Sequence, residues 1–355
     1  MKRVLLTAGT WDLENGKPSG LIKKMYDILK ENKNYEIDFY NGGNYEKLKE
    51  LVESAKNYEI IFWMANVPNE LEKVRDVKNV NPFAIVIGSK RNHYHEYTFV
   101  EILNKALLQR NNLTIEFSKN EDNKNFKMLL FDPLGTTWYK GYDLENLVEN
   151  MTNRIDFILT TRRERTFKAD GEINIPNHEE FFQYTRDVAN IFHKTINHAD
   201  GVTRFLGNAS FKLNNKIYVT RRDVDKALIN KENFVESFLK NDKVYYYGDF
   251  KPSKDTVVQV RLYEMLPNIN YMVHSHCYSD KAPFTNTPVP CGALDEIDEI
   301  LEVIKNDYNN DFSLSYYKFN LKGHGTIIMA KTIEELKQTK FLTRNLPEVI
   351  WLWTL

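Results

Sequence analysis

The chain has 355 residues, 42% of them hydrophobic and 27% charged, with a formal net charge of −1. That balance excludes nucleic-acid binding driven by overall charge, and no apolar run nears the ~18–20 residues of a membrane span. The two cysteines, Cys277 and Cys291, are too few for a disulfide scaffold, so a reducing cytoplasm is expected.

The length fits two domains. The opening "MKRVLLTAGTWDLENG" has too short an apolar core for a signal peptide and reads as a strand, "RVLLTAG" (3–9), followed by a loop. "SGLIKKMYDILKEN" (19–32) carries Leu21, Ile22, Met25, Ile28 and Leu29 at helical spacing. "YEIDFYNG" and "YEIIFWMAN" read as strands around the helix "YEKLKELVESA". "FAIVIGSKRN" (83–92) is a further strand, "EYTFVEILNKALLQ" a helix, and "NLTIEFSKN" and "FKMLLFDPLG" two more strands. This alternation predicts an α/β domain over 1–165 with a parallel, doubly wound sheet, Rossmann- or flavodoxin-like. The stretch 142–166 reads as a helix and the polar 166–180, with Gly171 and Pro176, as a linker to a second domain over 181–355. That domain opens on the helical "EEFFQYTRDVANIFHKTI".

The glycine-bearing loops "TAGTWDLENGKPSG" and "DPLGTTWYKG" lack both GxGxxG and GxxxxGK[ST], so neither standard phosphate motif is present. "LLTAGT" resembles phosphopantothenoylcysteine synthetase over a few residues, too few to carry any residue across. A nucleotide or nucleotide-sugar site there and a purely structural domain both stay open. "NHYHEY" places His93, His95 and Glu96 at the end of a strand, where ligands bind in open α/β sheets. With no third histidine or cysteine nearby, they are expected to be polar loop residues.

The second domain carries "YMVHSHCYSD" (271–280). Positions i and i+2 of a strand share a face, so His274 and His276 can aim at one point while Cys277 faces the other way. A third histidine, His324, sits between two glycines in "KGHGTIIMA", where backbone can approach a site closely. Three histidines with Asp255 as the nearby carboxylate suit a divalent transition metal with an open position.

From about 183 to 340 the chain resembles the class II aldolase/adducin family. The family's Gly-Asn-x-Ser motif is matched by Gly207, Asn208 and Ser210 in "LGNASFK", and its Pro-Ser-Ser-Glu/Asp motif by Pro252, Ser253 and Asp255 in "KPSKDT". His274 lies nineteen residues beyond Asp255, as in the family, and His276 and His324 complete the set. The resemblance implies an α/β/α domain with a zinc-type divalent ion on the three histidines. It also implies aldol cleavage, aldol formation or epimerisation beside a carbonyl in a small, usually phosphorylated, sugar, and a homo-oligomer, most often a tetramer. A Lewis-acidic ion suits that chemistry because it stabilises an enediolate.

Aspartate rather than glutamate at 255 is closer to the L-ribulose-phosphate 4-epimerase pattern than to the fuculose-phosphate aldolase pattern. Asp255 then serves as a fourth ligand or as the acid/base. Lys254 replaces the second serine, and Thr220, Arg221 and Arg222 stand where the family has its phosphate loop. These cations can bind an oxyanion; a solvated surface is the other reading of the arginines. Asp295 and Glu296 fall near a carboxylate that the epimerase draws from a neighbouring subunit. The tail "FLTRNLPEVIWLWTL" has no tyrosine, and its Trp351 and Trp353 are expected to dock in a core or an interface. The rival readings are an adducin-like binding protein without chemistry, which the retained histidines disfavour, and an N-terminal catalytic domain.

Overall fold

The computed structural model describes residues 1–12, 14–63, 77–93, 96–109, 111–119, 126–133, 135–161, 166–195, 203–289 and 291–342. It divides into two compact units, Met1–Asp156 and Phe157–Leu355. No described helix is long and apolar enough to cross a membrane.

The first unit holds a seven-stranded sheet of β1 (Lys2–Asp12), β2 (Tyr35–Asn44), β3 (Ile60–Trp63), β4 (Ile85–His93), β5 (Leu113–Lys119), β6 (Lys127–Phe131) and β7 (Thr137–Gly141). The order is β2-β1-β3-β4-β5-β6-β7. The first five strands run parallel in the flavodoxin-type order. The expected all-parallel sheet is extended by two antiparallel strands, because β5–β6 and β6–β7 are hairpin pairs. Helices α1 (Gly20–Leu29), α2 (Tyr45–Glu53) and α3 (Phe99–Leu108) follow strands. On α1, Ile22, Met25 and Leu29 are buried, and Ser19 caps the start by accepting from the Ile22 amide. Helix α4 (Leu144–Thr161) starts after Asp143, whose carboxylate accepts from the Asn146 amide.

The second unit is built on an eight-stranded sheet. Its strands are β8 (Thr166–Ala169), β11 (Asn208–Leu213), β12 (Lys216–Thr220), β13 (Phe234–Lys240), β14 (Lys243–Tyr247), β15 (Tyr271–Ser275), β17 (Tyr316–Leu321) and β18 (Gly325–Ala330). They are ordered β17-β18-β15-β11-β12-β13-β14-β8. Pairs β9 (His193–Thr195) with β10 (Thr203–Phe205) and β16 (Tyr278–Ser279) with β19 (Phe341–Leu342) stand outside it. Within the stretch read as linker, Thr166–Ala169 is the edge strand, parallel to β14. Helix α5 (Glu179–Asp187) is shorter than the sequence pattern suggests: Val188 leaves helical geometry and a 3-10 turn, Ala189–Ile191, follows.

Alternation along the strands sorts the core into two layers. Ile217, Val219, Met272, Ile327 and Met329 pack with α6 (Thr256–Met265) and α7 (Asp295–Asp307). Phe211, Tyr218, Val273, Ile328 and Ala330 pack with α5 and α8 (Ile333–Lys337). The result is the expected α/β/α sandwich. By the same alternation His274 shares the face of Met272, the face covered by α6 and α7.

Candidate metal centre

Three strand and turn ends meet at one point. His274 is the penultimate residue of β15, and His276 lies just past its end. His324 sits in the β17–β18 turn, its amide bonded to the Leu321 carbonyl at 2.9 Å, with Gly323 at φ +70° in the position that needs left-handed backbone. Gly325, at φ +146°, lies so close to β15 that a Cβ would stand 2.0 Å from the Ser275 carbonyl oxygen. The three imidazoles are buried, with centroids 4.6, 5.1 and 5.2 Å apart, and their ligand atoms all lie within 4.8 Å of one another.

Their outer nitrogens fix the tautomers. His274 Nδ1 bonds the Thr326 carbonyl at 3.0 Å, and His324 Nδ1 bonds Glu296 Oε1 at 2.8 Å. A proton therefore belongs on Nδ1 of each ring; His274 Nε2 keeps its lone pair, and His324 Nε2 offers one once its own proton is displaced. Both Nε2 atoms are buried and make no hydrogen bond among the described residues. Orphaned buried ring nitrogens, each braced from behind by a carbonyl or carboxylate, are what a metal-binding histidine set requires. Burial, then the charge on His324, pushes the His274 pKa down to about 4, so its ring is neutral at pH 7. Burial also opposes charge on His324, but Glu296 outweighs it and raises that pKa.

Asp255 ends the loop that enters α6. It stands at the helix N-cap but makes no capping bond; its oxygens are used elsewhere. Oδ2 accepts from Asn208 Nδ2 at 2.8 Å and from Ser253 Oγ at 3.4 Å, and Oδ1 accepts from Cys291 Sγ at 2.8 Å. Oδ2 is 3.8 Å from His274 Nε2. Burial works against the Asp255 charge, but His274, His324 and the Cys291 bond outweigh it and hold its pKa below the usual carboxylate value. Asp255, Cys291 and His324 form a second group whose ligand atoms lie within 4.8 Å.

Residues 186–346 match the family described as Class II Aldolase and Adducin N-terminal domain. The C-terminal half carries a class II aldolase/adducin domain. An l-fuculose-1-phosphate aldolase from Thermus thermophilus is 17% identical, covering 49% of this chain and 85% of its own, with a TM-score of 0.29. YgbL from Escherichia coli is 14% identical over 49% of this chain and 84% of its own, with a TM-score of 0.33. A DNA/pantothenate metabolism flavoprotein from Streptococcus pneumoniae is 15% identical over 44% of this chain and 97% of its own, with a TM-score of 0.35. No curated protein matches the chain.

The aldolase domain brings Asn208, Ser253, Asp255, His274, His276 and His324 together, with Gly207 and Glu296 beside them; Ser210, Thr220, Arg221 and Arg222 are engaged elsewhere. Gly207, at φ +71°, lets β11 start against β15: a Cβ would stand 2.4 Å from the His274 carbonyl oxygen. Ser210 is buried and bonds Tyr263 Oη at 3.1 Å, towards the far end of α6. Thr220 accepts from the Ala209 amide at 3.2 Å through its hydroxyl, and its carbonyl accepts from the Ser253 amide at 3.0 Å, which fastens the Ser253 loop. The Arg221 guanidinium lies 3.8 Å from the Phe250 ring centroid, and Arg222 Nε donates to the Pro252 carbonyl at 3.0 Å. Lys254 is exposed. Cys277, expected to face away from the two histidines, directs Sγ to the Ile191 carbonyl at 3.6 Å. His95 and the tail with Trp351 and Trp353 lie outside the described residues, as does the side chain of His93; Glu96 is exposed.

Three residues acquire contacts that the sequence did not assign. Gln259 Nε2 donates to Asn208 Oδ1 and so turns the Asn208 amide towards Asp255. Cys291 holds the other side of Asp255. Glu296 braces His324 from its own chain; its position beside the family's carboxylate was the available signal.

Proposed function

We propose that the C-terminal unit is a divalent-metal-dependent lyase or epimerase acting beside the carbonyl of a small hydroxy-carbonyl compound of the sugar-phosphate type. What carries this reading is the pair of buried Nε2 atoms on His274 and His324, both without hydrogen bonds and both braced from behind. His274, His276 and His324 would hold the ion; three imidazole nitrogens suit zinc and leave a position for substrate. When bound, the ion supplies Lewis acidity to a carbonyl oxygen.

The chain's own groups supply the rest. Asp255 is ionised, fixed on both oxygens and 3.8 Å from His274, so it can take the proton of a substrate hydroxyl. Loss of that proton starts carbon–carbon cleavage next to a carbonyl, the step that an aldolase and a retro-aldol epimerase share. The Asn208 amide and the Cys291 thiol keep the carboxylate turned to one position, which lowers the cost of orienting it in the reaction. A homo-oligomer, a tetramer by family resemblance, belongs to this proposal and is read by light scattering.

The test is metal content of the purified protein by mass spectrometry, together with identification of any co-purified small molecule. Wild type should carry about one zinc-type ion per chain and His274→Ala far less. A His274→Ala protein that keeps both its metal and its activity would sink the proposal.

A further inference from the structure

Lys226 takes no part in the arrangement described so far. It opens a 3-10 turn, Lys226–Leu228, a few residues after Arg221 and Arg222, and its side chain is buried, 1% exposed. Its Nζ donates to the Phe205 carbonyl at 3.3 Å and stands 5.5 Å from the Phe192 ring centroid. An ammonium has three donors, and here a neutral carbonyl takes one. Among the described residues, Asp223, Asp225 and Asp255 act on it through space, without an ion pair. Among the described residues two of its donors thus have no acceptor and no carboxylate bonds it, a deficit that an incoming anion would remedy.

The position also adjoins the histidine cluster. Phe205 stands two residues before Gly207, whose backbone lies against the His274 carbonyl and the Phe192 ring. The Lys226 ammonium borders that same ring, and its field reaches both Asp255 and His274. The more obvious cations are already engaged: Arg221 on Phe250 and Arg222 on the Pro252 carbonyl.

We propose that Lys226, rather than Arg221 or Arg222, anchors an oxyanion of the substrate, a phosphate or a carboxylate, at the end remote from the reacting carbonyl. The proposal rests on the reading of the histidine centre as a substrate site. Burial lowers the lysine's pKa to about 8, with the three aspartates opposing the fall. The side chain is thus charged at pH 7, and an arriving anion would stabilise that charge further.

The experiment follows the thermal unfolding midpoint of the full-length, metal-loaded protein at pH 7 in chloride, acetate and inorganic phosphate at equal ionic strength. Phosphate should raise the wild-type midpoint; if acetate does so instead, the anchored group is a carboxylate. Lys226→Met should bind the responding anion about tenfold more weakly or worse, the effect of losing a charge-assisted hydrogen bond, while Lys226→Arg keeps part of the response. The double variant Arg221→Ala/Arg222→Ala should respond like wild type. The proposal is overturned if wild type responds to neither anion, if Lys226→Met responds like wild type, or if the double arginine variant loses the response while Lys226 is intact. If Lys226→Met does not fold, the wild-type and double-arginine results can still overturn the proposal, and a weakened response in Lys226→Arg supports it. Metal content is read on the same samples, so a metal-free wild type that still shows a Lys226-dependent response would refute the metal centre and leave the anion anchor standing.

Discussion

The two units use glycine in the same way and for different ends. In the first, Gly9 at φ +78° and Gly42 at φ +76° bring strand-end loops into backbone contact: a Cβ on Gly9 would stand 2.5 Å from the Lys17 carbonyl oxygen. Among the described residues those loops gather no cluster of ligating side chains. In the second, Gly207 and Gly325 press β11 and β18 against the end of β15, and the side chains carried there are histidines, an asparagine and a carboxylate. Close backbone approach is therefore a property of both sheets. What makes one of them a candidate site is the set of buried polar groups that the approach brings face to face.

The sharpest way to break that contrast is to add one methyl group on each side. Gly325→Ala should cost about 3 kcal/mol or more, since it combines a forbidden φ with a Cβ inside a carbonyl, and it should abolish metal retention. Gly9→Ala should destabilise its own unit in urea unfolding and leave the metal content of the folded protein unchanged. If Gly9→Ala empties the metal site, the contrast is wrong.

Next in size is Glu296→Gln. Losing the carboxylate behind His324 should weaken metal binding about 10–100-fold, read by competition with a chromophoric chelator. The same titration has a pH signature. Glu296 raises the His324 pKa, so binding must displace a proton there, and affinity should fall as pH drops. In Glu296→Gln the pKa falls, and the loss of affinity should move to lower pH; an unmoved profile would show that Glu296 does not tune His324.

Cys291 gives a subtler test. With its pKa pushed up to about 11, by burial first and then by Asp255, metal-free protein should alkylate there about 100-fold more slowly at pH 7 than an ordinary thiol, in proportion to its thiolate fraction. Asp255→Asn should speed the reaction. The smallest effect is expected at Arg221→Ala, which removes a half-buried guanidinium from the exposed Phe250 ring at a cost of about 0.5–1 kcal/mol and leaves metal content intact.

Much of this was legible in the sequence because it depends on short-range regularities. Helical spacing identified the buried face of α1, and the i, i+2 rule put His274 and His276 on one side. The parallel order of β1–β5 follows from strand–helix alternation, whereas the antiparallel addition of β6 and β7 depends on which edge a hairpin joins. Ser210 shows where motif reading fails: it shares a face with Asn208, but one step further along β11 takes it from Asp255 to Tyr263. Gln259 and Cys291 were not assignable, and Glu296 was legible only as lying near a family carboxylate, because each acts on a residue far away in the chain, Asn208, Asp255 and His324 respectively, and only the folded sheet and its two covering helices make those pairs.

The contact between Gly325 and Ser275 has a consequence for when the centre comes into being. His274 and His324 lie on segments that the pairing of β15 with β18 brings together across a long stretch of sequence. A chain in which that pair has not formed does not hold the three imidazoles in this arrangement. On the proposed reading of the centre as a metal site, the rate at which refolding protein captures an ion should match the rate of strand pairing, not that of helix formation.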